Sequence, residues 1–382
     1  MELLLDYPTL RVIWWLLLGI LLAGFAVMDG FDLGLAALLP FAARTDEDRR
    51  LLLNAIGPVW EGNQVWLILG AGAIFAAWPP LYATAFSGFY GAMFLVLAAL
   101  ILRPVGFKFR SKVADPRWRT VWDWALFVGG AVPALVFGVA VGNALQGVPF
   151  TLDDRLLSHY DGGLLGLLNP FALLVGLVSL TMLMQHGAAF GASKTDGPIA
   201  NRLALFGGIA GLAATVLFGL AGVWIYFGVD GYAITGTAVM DGPSNPLLKE
   251  VAVTPGAWFD NYARWPLTML VPAVGLLGLL LASITLCTFH RPRLATFISG
   301  LGIAGVVGTV GVSMFPFILP SSINPKASLT VWDASSSHLT LFIMLVATLI
   351  FMPIVVIYTT WVYRVLSGKL SRDSIAAEEN SY

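Results

Sequence analysis

The chain has little of what most soluble enzymes are built from. Its 382 residues include one cysteine, Cys287, and four histidines. A single thiol excludes an internal disulfide and any zinc or iron–sulfur site made from several thiolates. Cys287 therefore reads as a small apolar residue in a helix. Charged residues make up 11% of the chain, where a soluble domain carries about 25%. The formal net charge of −1 gives no bulk attraction to nucleic acid or to an acidic partner. Alternating apolar segments of about ten residues, which would mark a membrane β-barrel, are missing too.

What is present is apolar length. Hydrophobic residues account for 58% of the chain, in runs long enough to cross a bilayer as helices. Nine candidate spans stand out, at 11–41, 51–77, 80–102, 121–144, 164–191, 203–227, 266–289, 294–316 and 336–365. The expected fold is an all-α polytopic membrane protein. The N-terminal segment has Glu2 and Asp6 where a signal peptide has a basic region. Its apolar run is also too long, so it reads as a retained first helix.

Basic residues give the orientation. Arg44, Arg49, Arg50, Arg103, Lys108, Arg110, Lys112, Arg117, Arg119, Lys194, Arg202, Arg291, Arg293, Arg364, Lys369 and Arg372 fall on one side, 16 of the 21 Lys and Arg. Arg11, Arg155, Lys249, Arg264 and Lys326 fall on the other. The positive-inside rule places the N-terminus outside and the C-terminus in the cytoplasm, as an odd number of spans requires. The longest outside connection, about 228–265, is rich in Gly, Pro and Asn and reads as an ordered loop. The polar tail after Gly368 is expected to fray.

A faint internal repeat appears at an offset of 157, which lays Gly19, Gly30 and Gly34 over Gly176, Gly187 and Gly191, and Asp29 over His186. It suggests two parallel four-helix bundles plus one extra helix. Residues 1–150 would form the first bundle and carry the polar residues discussed next. Residues 151–320 would form the second with the outside loop, and 321–382 the ninth helix and cytoplasmic tail.

The chemistry-bearing residues lie inside the apolar runs. Asp29 and Asp32 sit three apart in "FAVMDGFDLG", and Glu61, Asn63 and Gln64 sit in "GPVWEGNQVWLILG". Read as one continuous helix rising about 1.5 Å per residue, the second span puts Glu61 about 15 Å deep, with Asn54 on the same face. Carboxylates at that depth are costly and are expected to face the bundle interior. Two readings stand side by side. In one, Asp29, Asp32 and Glu61 relay protons while Asn54, Asn63 and Gln64 position water. In the other, ion pairs, for instance to Arg103, pin the acids and hold the helices in register. Arg103 itself either snorkels to the interface or tunes the acids. Asp123, beside the basic loop, is expected in a surface salt bridge. Only His186 among the histidines is clearly intramembrane, so a structural or relay role is expected for it rather than heme ligation. Trp60 and Trp66 flank the Glu61 cluster.

At these residues a family resemblance appears. "GFAVMDGFDLGLAALLPF", "GPVWEGNQVWL", "FAAWPPLYATAFSGFYGAMFLVLAALILRPVGFKFRSK", "WRTVWDWALFVGGAVPALVFGVAVGNALQGVPF" and "MFPFILPSS…ASLTVWDASSS" resemble subunit II of cytochrome bd-type quinol oxidases. The resemblance covers nearly the whole chain. It implies a bacterial inner-membrane complex that oxidises quinol, reduces dioxygen to water and contributes to the proton-motive force without pumping. Two b-type hemes and one d-type heme would be ligated by the partner, subunit I, with none ligated by this chain. Subunit II would support assembly and heme retention and supply a cytoplasmic proton path, with a quinone as a possible structural lipid and small accessory membrane subunits as possible further partners. Carried over by motif, the relay acids are Asp29 and Asp32 in "DGFDLG" and Glu61 in "WEGNQVW", where many relatives have Asp. Arg103 in "LRPVGF" and Asp123 in "WDW" also match. From another functional class, a proton-coupled secondary transporter with midplane acids and broken helices would fit the same composition.

Overall fold

The computed structural model describes residues 4–236 and 239–370; Glu2, Arg372 and the expected fraying of the tail from 371 onward lie outside them. Thirteen α-helices form within the described residues. They are α1 (Tyr7–Met28), α2 (Gly30–Ala42), α3 (Asp46–Ile56), α4 (Trp60–Ala77), α5 (Pro79–Gly88), α6 (Tyr90–Phe109) and α7 (Pro116–Gln146). The remainder are α8 (Pro170–Lys194), α9 (Gly197–Gly228), α10 (Asp260–Arg264), α11 (Leu270–Cys287), α12 (Pro292–Met314) and α13 (His338–Val365). Eight segments are long and apolar enough to cross a membrane: Tyr7–Ala42, Tyr90–Lys112, Pro116–Gln146, Pro170–Lys194, Gly197–Gly228, Pro266–Cys287, Pro292–Met314 and His338–Val365.

The expected span 51–77 is not one helix. Pro58 has no N–H to donate to the Asn54 carbonyl, so the helical ladder fails there. The chain breaks over 57–59 and restarts as α4, whose 18 residues are diluted by Glu61, Asn63 and Gln64. The polar α3 before the break is closed at its start by a reciprocal Thr45–Asp48 capping box. Asn54 and Glu61 therefore lie on different helices and share no face. The first long segment also bends, at Asp29, between α1 and α2.

The expectation of an all-α chain missed three antiparallel ribbons in the connections. They pair β1 (Phe150–Leu152) with β2 (Ser158–Tyr160), β3 (Asp230–Thr235) with β4 (Glu250–Pro255), and β5 (Phe317–Leu319) with β6 (Leu329–Thr330). The segment 228–265 thus contains the β3–β4 pair, together with short helical turns and α10. Side chains stitch the ribbons together: the Ser321 hydroxyl donates to the Phe150 carbonyl, and Tyr232 Oη donates to the Gln146 carbonyl at 3.3 Å. Lys249 pairs with Asp333 at 2.9 Å and donates to the Ser328 carbonyl at 2.5 Å. Asp333 in turn accepts from Thr330 N at 2.9 Å and Thr330 Oγ1 at 2.6 Å. Burial pulls the Lys249 ammonium below the usual lysine value, and Asp333 opposes that shift.

In the helical layer α2 is the most enclosed element, with every residue from Gly30 to Leu39 buried. It lies between α7 and α8 and approaches both at backbone distance. A Cβ on Gly34 would collide with the Leu183 carbonyl, and one on Gly187 with the Leu35 amide. A Cβ on Gly130 would lie 2.5 Å from the Leu33 carbonyl. In lipid, where apolar side chains gain little by leaving the solvent, such small-residue crossings supply much of the packing.

Gly34→Ala should therefore destabilise the protein by about 1–3 kcal/mol or more, as overpacking does, read as a lower thermal midpoint in detergent. Gly222→Ala, where an added Cβ meets nothing within 4 Å, should leave that midpoint unchanged or slightly raised in the same melting assay.

Candidate functional site

The bend at Asp29 places two carboxyl groups inside the helical layer. Asp29 and Asp32 are both fully buried. Arg103, also fully buried, reaches them from α6. Its guanidinium holds Asp29 with two hydrogen bonds, Nη2 to Oδ1 at 2.9 Å and Nη1 to Oδ2 at 3.2 Å. The same Nη2 lies 3.9 Å from Asp32 Oδ2. A planar guanidinium fits a carboxylate in this two-point way, which an ammonium cannot do. Trp60 covers the cation, with the guanidinium carbon 5.9 Å from its ring centroid, and Trp60 packs on Phe107.

Asp32 has a different environment. Its Oδ2 accepts a hydrogen bond from Asn63 Nδ2 at 2.8 Å. Its Oδ1 is buried without a hydrogen-bond partner among the described residues. Asn63 Oδ1 accepts from the Tyr363 hydroxyl at 2.7 Å. The cluster therefore holds one guanidinium, two carboxyl groups and a neutral amide–phenol train. One carboxylate is matched in charge and the other is not.

His186, also buried, lies on the far side of the bend. One ring nitrogen is 2.7 Å from Ser299 Oγ and the other 3.0 Å from the Val27 carbonyl. Its ring stands edge-on to Phe31, between Asp29 and Asp32, with centroids 6.0 Å apart. Both nitrogens are engaged by protein groups, and the ring braces the end of α1.

Glu61 differs from expectation. It occupies the first turn of α4 and is exposed on the surface of this chain, not turned into the interior with Asp29 and Asp32. The break over 57–59 also removes the continuous helix on which its expected depth rested. Gln64 is half-buried, and Asn54 donates to the Arg50 carbonyl at 2.8 Å.

Asp123 is not in a surface salt bridge. It is buried and takes Arg110 at two points, Nε to Oδ1 at 2.6 Å and Nη2 to Oδ2 at 3.3 Å. Arg49 approaches it at 3.3 Å. Asp46 extends the network to Arg119 at 2.7 Å and back to Arg110 at 2.8 Å, and Asp48 pairs with Arg202 at 2.5 Å. Sequence reading used these arginines for orientation and missed that they form a partly buried lattice tying α3 to α7 and α9. It missed Tyr363 and Ser299 as well, since each lies more than a hundred residues from its partner and has no local signal.

The chain matches the family model for cytochrome bd terminal oxidase subunit II over residues 10–366. This chain belongs to that family. It is 47% identical to the Escherichia coli K12 cytochrome bd-I ubiquinol oxidase subunit 2 over 99% of its own length and 100% of that protein. It is 32% identical to the cytochrome bd ubiquinol oxidase subunit 2 of Bacillus subtilis, over 95% of this chain and 97% of that one. Its fold matches a chain from the bd oxidase of Geobacillus thermodenitrificans with a TM-score of 0.61 at 17% identity, covering 94% of this chain and 98% of that one. Family and apolar helices together make it a multi-pass membrane protein and a subunit of an oxidoreductase complex. Nothing in these matches supports a transporter.

Removing Arg103 would leave Asp29 buried and uncompensated. Arg103→Met should cost about 3–5 kcal/mol, read as a lower thermal midpoint of the purified protein. Arg103→Lys should recover only part of it, because the two-point contact is lost.

Proposed function

We propose that this chain acts as subunit II of a quinol:oxygen oxidoreductase in the bacterial inner membrane. It would carry protons from the cytoplasmic side toward an oxygen-reducing site on subunit I while ligating no redox centre itself. The full-length family match supports the assembly role. The observation that carries the proton role is the unmatched carboxyl group of Asp32, buried beside the Asp29–Arg103 pair. A charge-neutral pair holds the helices, and a second acid next to it is free to exchange a proton. Low-dielectric protein passes no protons without such groups and water.

In this reading α4 is the ninth crossing, with the N-terminus outside, the C-terminus cytoplasmic and the basic lattice around Asp123 on the cytoplasmic side. The two four-helix bundles and the repeat relating them belong to the same reading. Glu61, exposed at the start of α4, faces subunit I, so its carboxyl group is the transfer point between chains. The b-type and d-type hemes belong to subunit I, and small accessory subunits and a structural quinone would occupy the lipid-facing surface. Asp29 is then a structural anion, and the relay reduces to Asp32 and Glu61.

The test is made on the assembled oxidase. Glu61→Gln and Asp32→Asn should each slow quinol-driven oxygen uptake roughly tenfold or more while heme content, read from absorption spectra, stays normal. Loss of heme with either variant would assign that acid to assembly instead.

A further inference from the structure

Neither Asp29 nor Asp32 lines either of two cavities at the end of α13, but a residue tied to Asp32 borders both. A cavity of about 200 Å³ opens between α3, α8 and the end of α13, lined by Asn54, Val59, Phe190, Lys194, Tyr363 and Ser367 among others. A second, of about 170 Å³, adjoins it, lined by Ser193, Lys194, Arg293, Tyr363, Ser367 and Gly368. Either volume holds several water molecules, and the lining offers the polar partners that ordered water needs. Tyr363 borders both. Its hydroxyl points the other way, donating to Asn63 Oδ1 at 2.7 Å while Asn63 Nδ2 donates to Asp32 at 2.8 Å. Tyr363 is thus hydrogen-bonded toward the buried acids.

An amide can present either end to a neighbour. Asp32 needs the donor end, and only a donor on the opposite side fixes that choice. The phenol is this donor. Phe31 keeps it in place, edge-on with centroids 6.5 Å apart, and is itself stacked on Phe190 at 4.0 Å. We propose that Tyr363 is the positioning residue of the proton-exchanging acid. Through Asn63 it aims Asp32, and the cavities it borders are the water reservoir from which Asp32 receives its proton. The inference rests on the relay reading above and deepens it.

Several charged groups face this train. Asp29 and Arg103 lie beside Asp32. Lys194 lines both cavities and donates to the Leu366 carbonyl at 2.7 Å. Arg293 lines the second cavity, and Lys369 lines the first and pairs with Asp196. A hydronium ion delivered from bulk solution through the cavity water gives its proton to the Asp32 carboxylate and is left as water, one O–H bond breaking as the other forms. No bond other than O–H forms or breaks.

The experiment compares Tyr363→Phe, Asn63→Ala, Asp32→Asn and the double variant Tyr363→Phe/Asp32→Asn in the purified oxidase complex. The readouts are heme content, oxygen uptake and the solvent deuterium isotope effect on uptake. Tyr363→Phe keeps the ring and removes one hydrogen bond. It should preserve heme content, slow uptake about fivefold, the rate equivalent of one such bond, and raise the isotope effect. Asn63→Ala should do the same, and Tyr363→Phe should add nothing to Asp32→Asn, because the two act through one group. An additive double variant, an unchanged rate with Tyr363→Phe, or a slower rate with no rise in the isotope effect would overturn the proposal. So would loss of heme or of the complex with both Tyr363→Phe and Asn63→Ala. If Asp32→Asn itself left uptake untouched, the relay reading would fail first.

Discussion

Arg103 carries a charge with no exposed surface, and that charge must be met within hydrogen-bond reach. Asp29 meets it at two points, 2.9 and 3.2 Å away. A buried ion pair contributes little net stability, because desolvation offsets most of the attraction. What it does impose is geometry, since either partner alone would be far more costly to bury. The pair thus fixes where the bend between α1 and α2 meets α6. The polar groups beside it are placed relative to that point: Asp32 one turn further along, Asn63 across from it on α4, and His186 behind the bend on the Val27 carbonyl.

The packing around the bend makes this possible. α2 fits between α7 and α8 because Gly34, Gly130 and Gly187 let backbone meet backbone. With larger residues there, the carboxyl groups would lie further from Arg103, and the two-point contact would open. On the basic side a second set of ions, centred on Asp123 and Arg110, holds α3 beside α7. That anchoring matters because α3 is polar and the break at Pro58 frees it from α4. On the opposite side the three ribbons perform the equivalent task, through Lys249, Asp333 and Ser321.

Much of this was legible in the sequence, for physical reasons that differ by element. Long apolar runs mark membrane helices because each must satisfy its own backbone in lipid, and seven of the eight apolar segments fall where those runs predict; the run expected at 80–102 is instead split between α5 and α6, and the apolar segment there is Tyr90–Lys112. Asp29, Asp32 and Arg103 stood out because charge inside such a run demands a partner, and pairing to Arg103 was one of the two readings left open. The break at Pro58 was visible as a proline, but its consequence for Glu61 was not drawn: a depth counted along one helix has no meaning across two. Asp123 looked superficial because adjacency to a basic loop says nothing about burial. The ribbons were missed because strands of two to six residues in Gly- and Pro-rich connections leave no periodic signal. Tyr363 was invisible because its partner Asn63 is 300 residues away.

The central claim is that the Asp29–Arg103 pair stays charged while its neighbour Asp32 gains and loses a proton during turnover. Redox-induced infrared difference spectroscopy of the assembled oxidase, in water and in deuterium oxide, tests this directly through the stretching band of protonated carboxyl groups. The account predicts a deuterium-sensitive carboxyl band that disappears with Asp32→Asn and persists with Glu61→Gln. A spectrum with no band attributable to Asp32, its carboxyl group unchanged between the oxidised and reduced states, would contradict it.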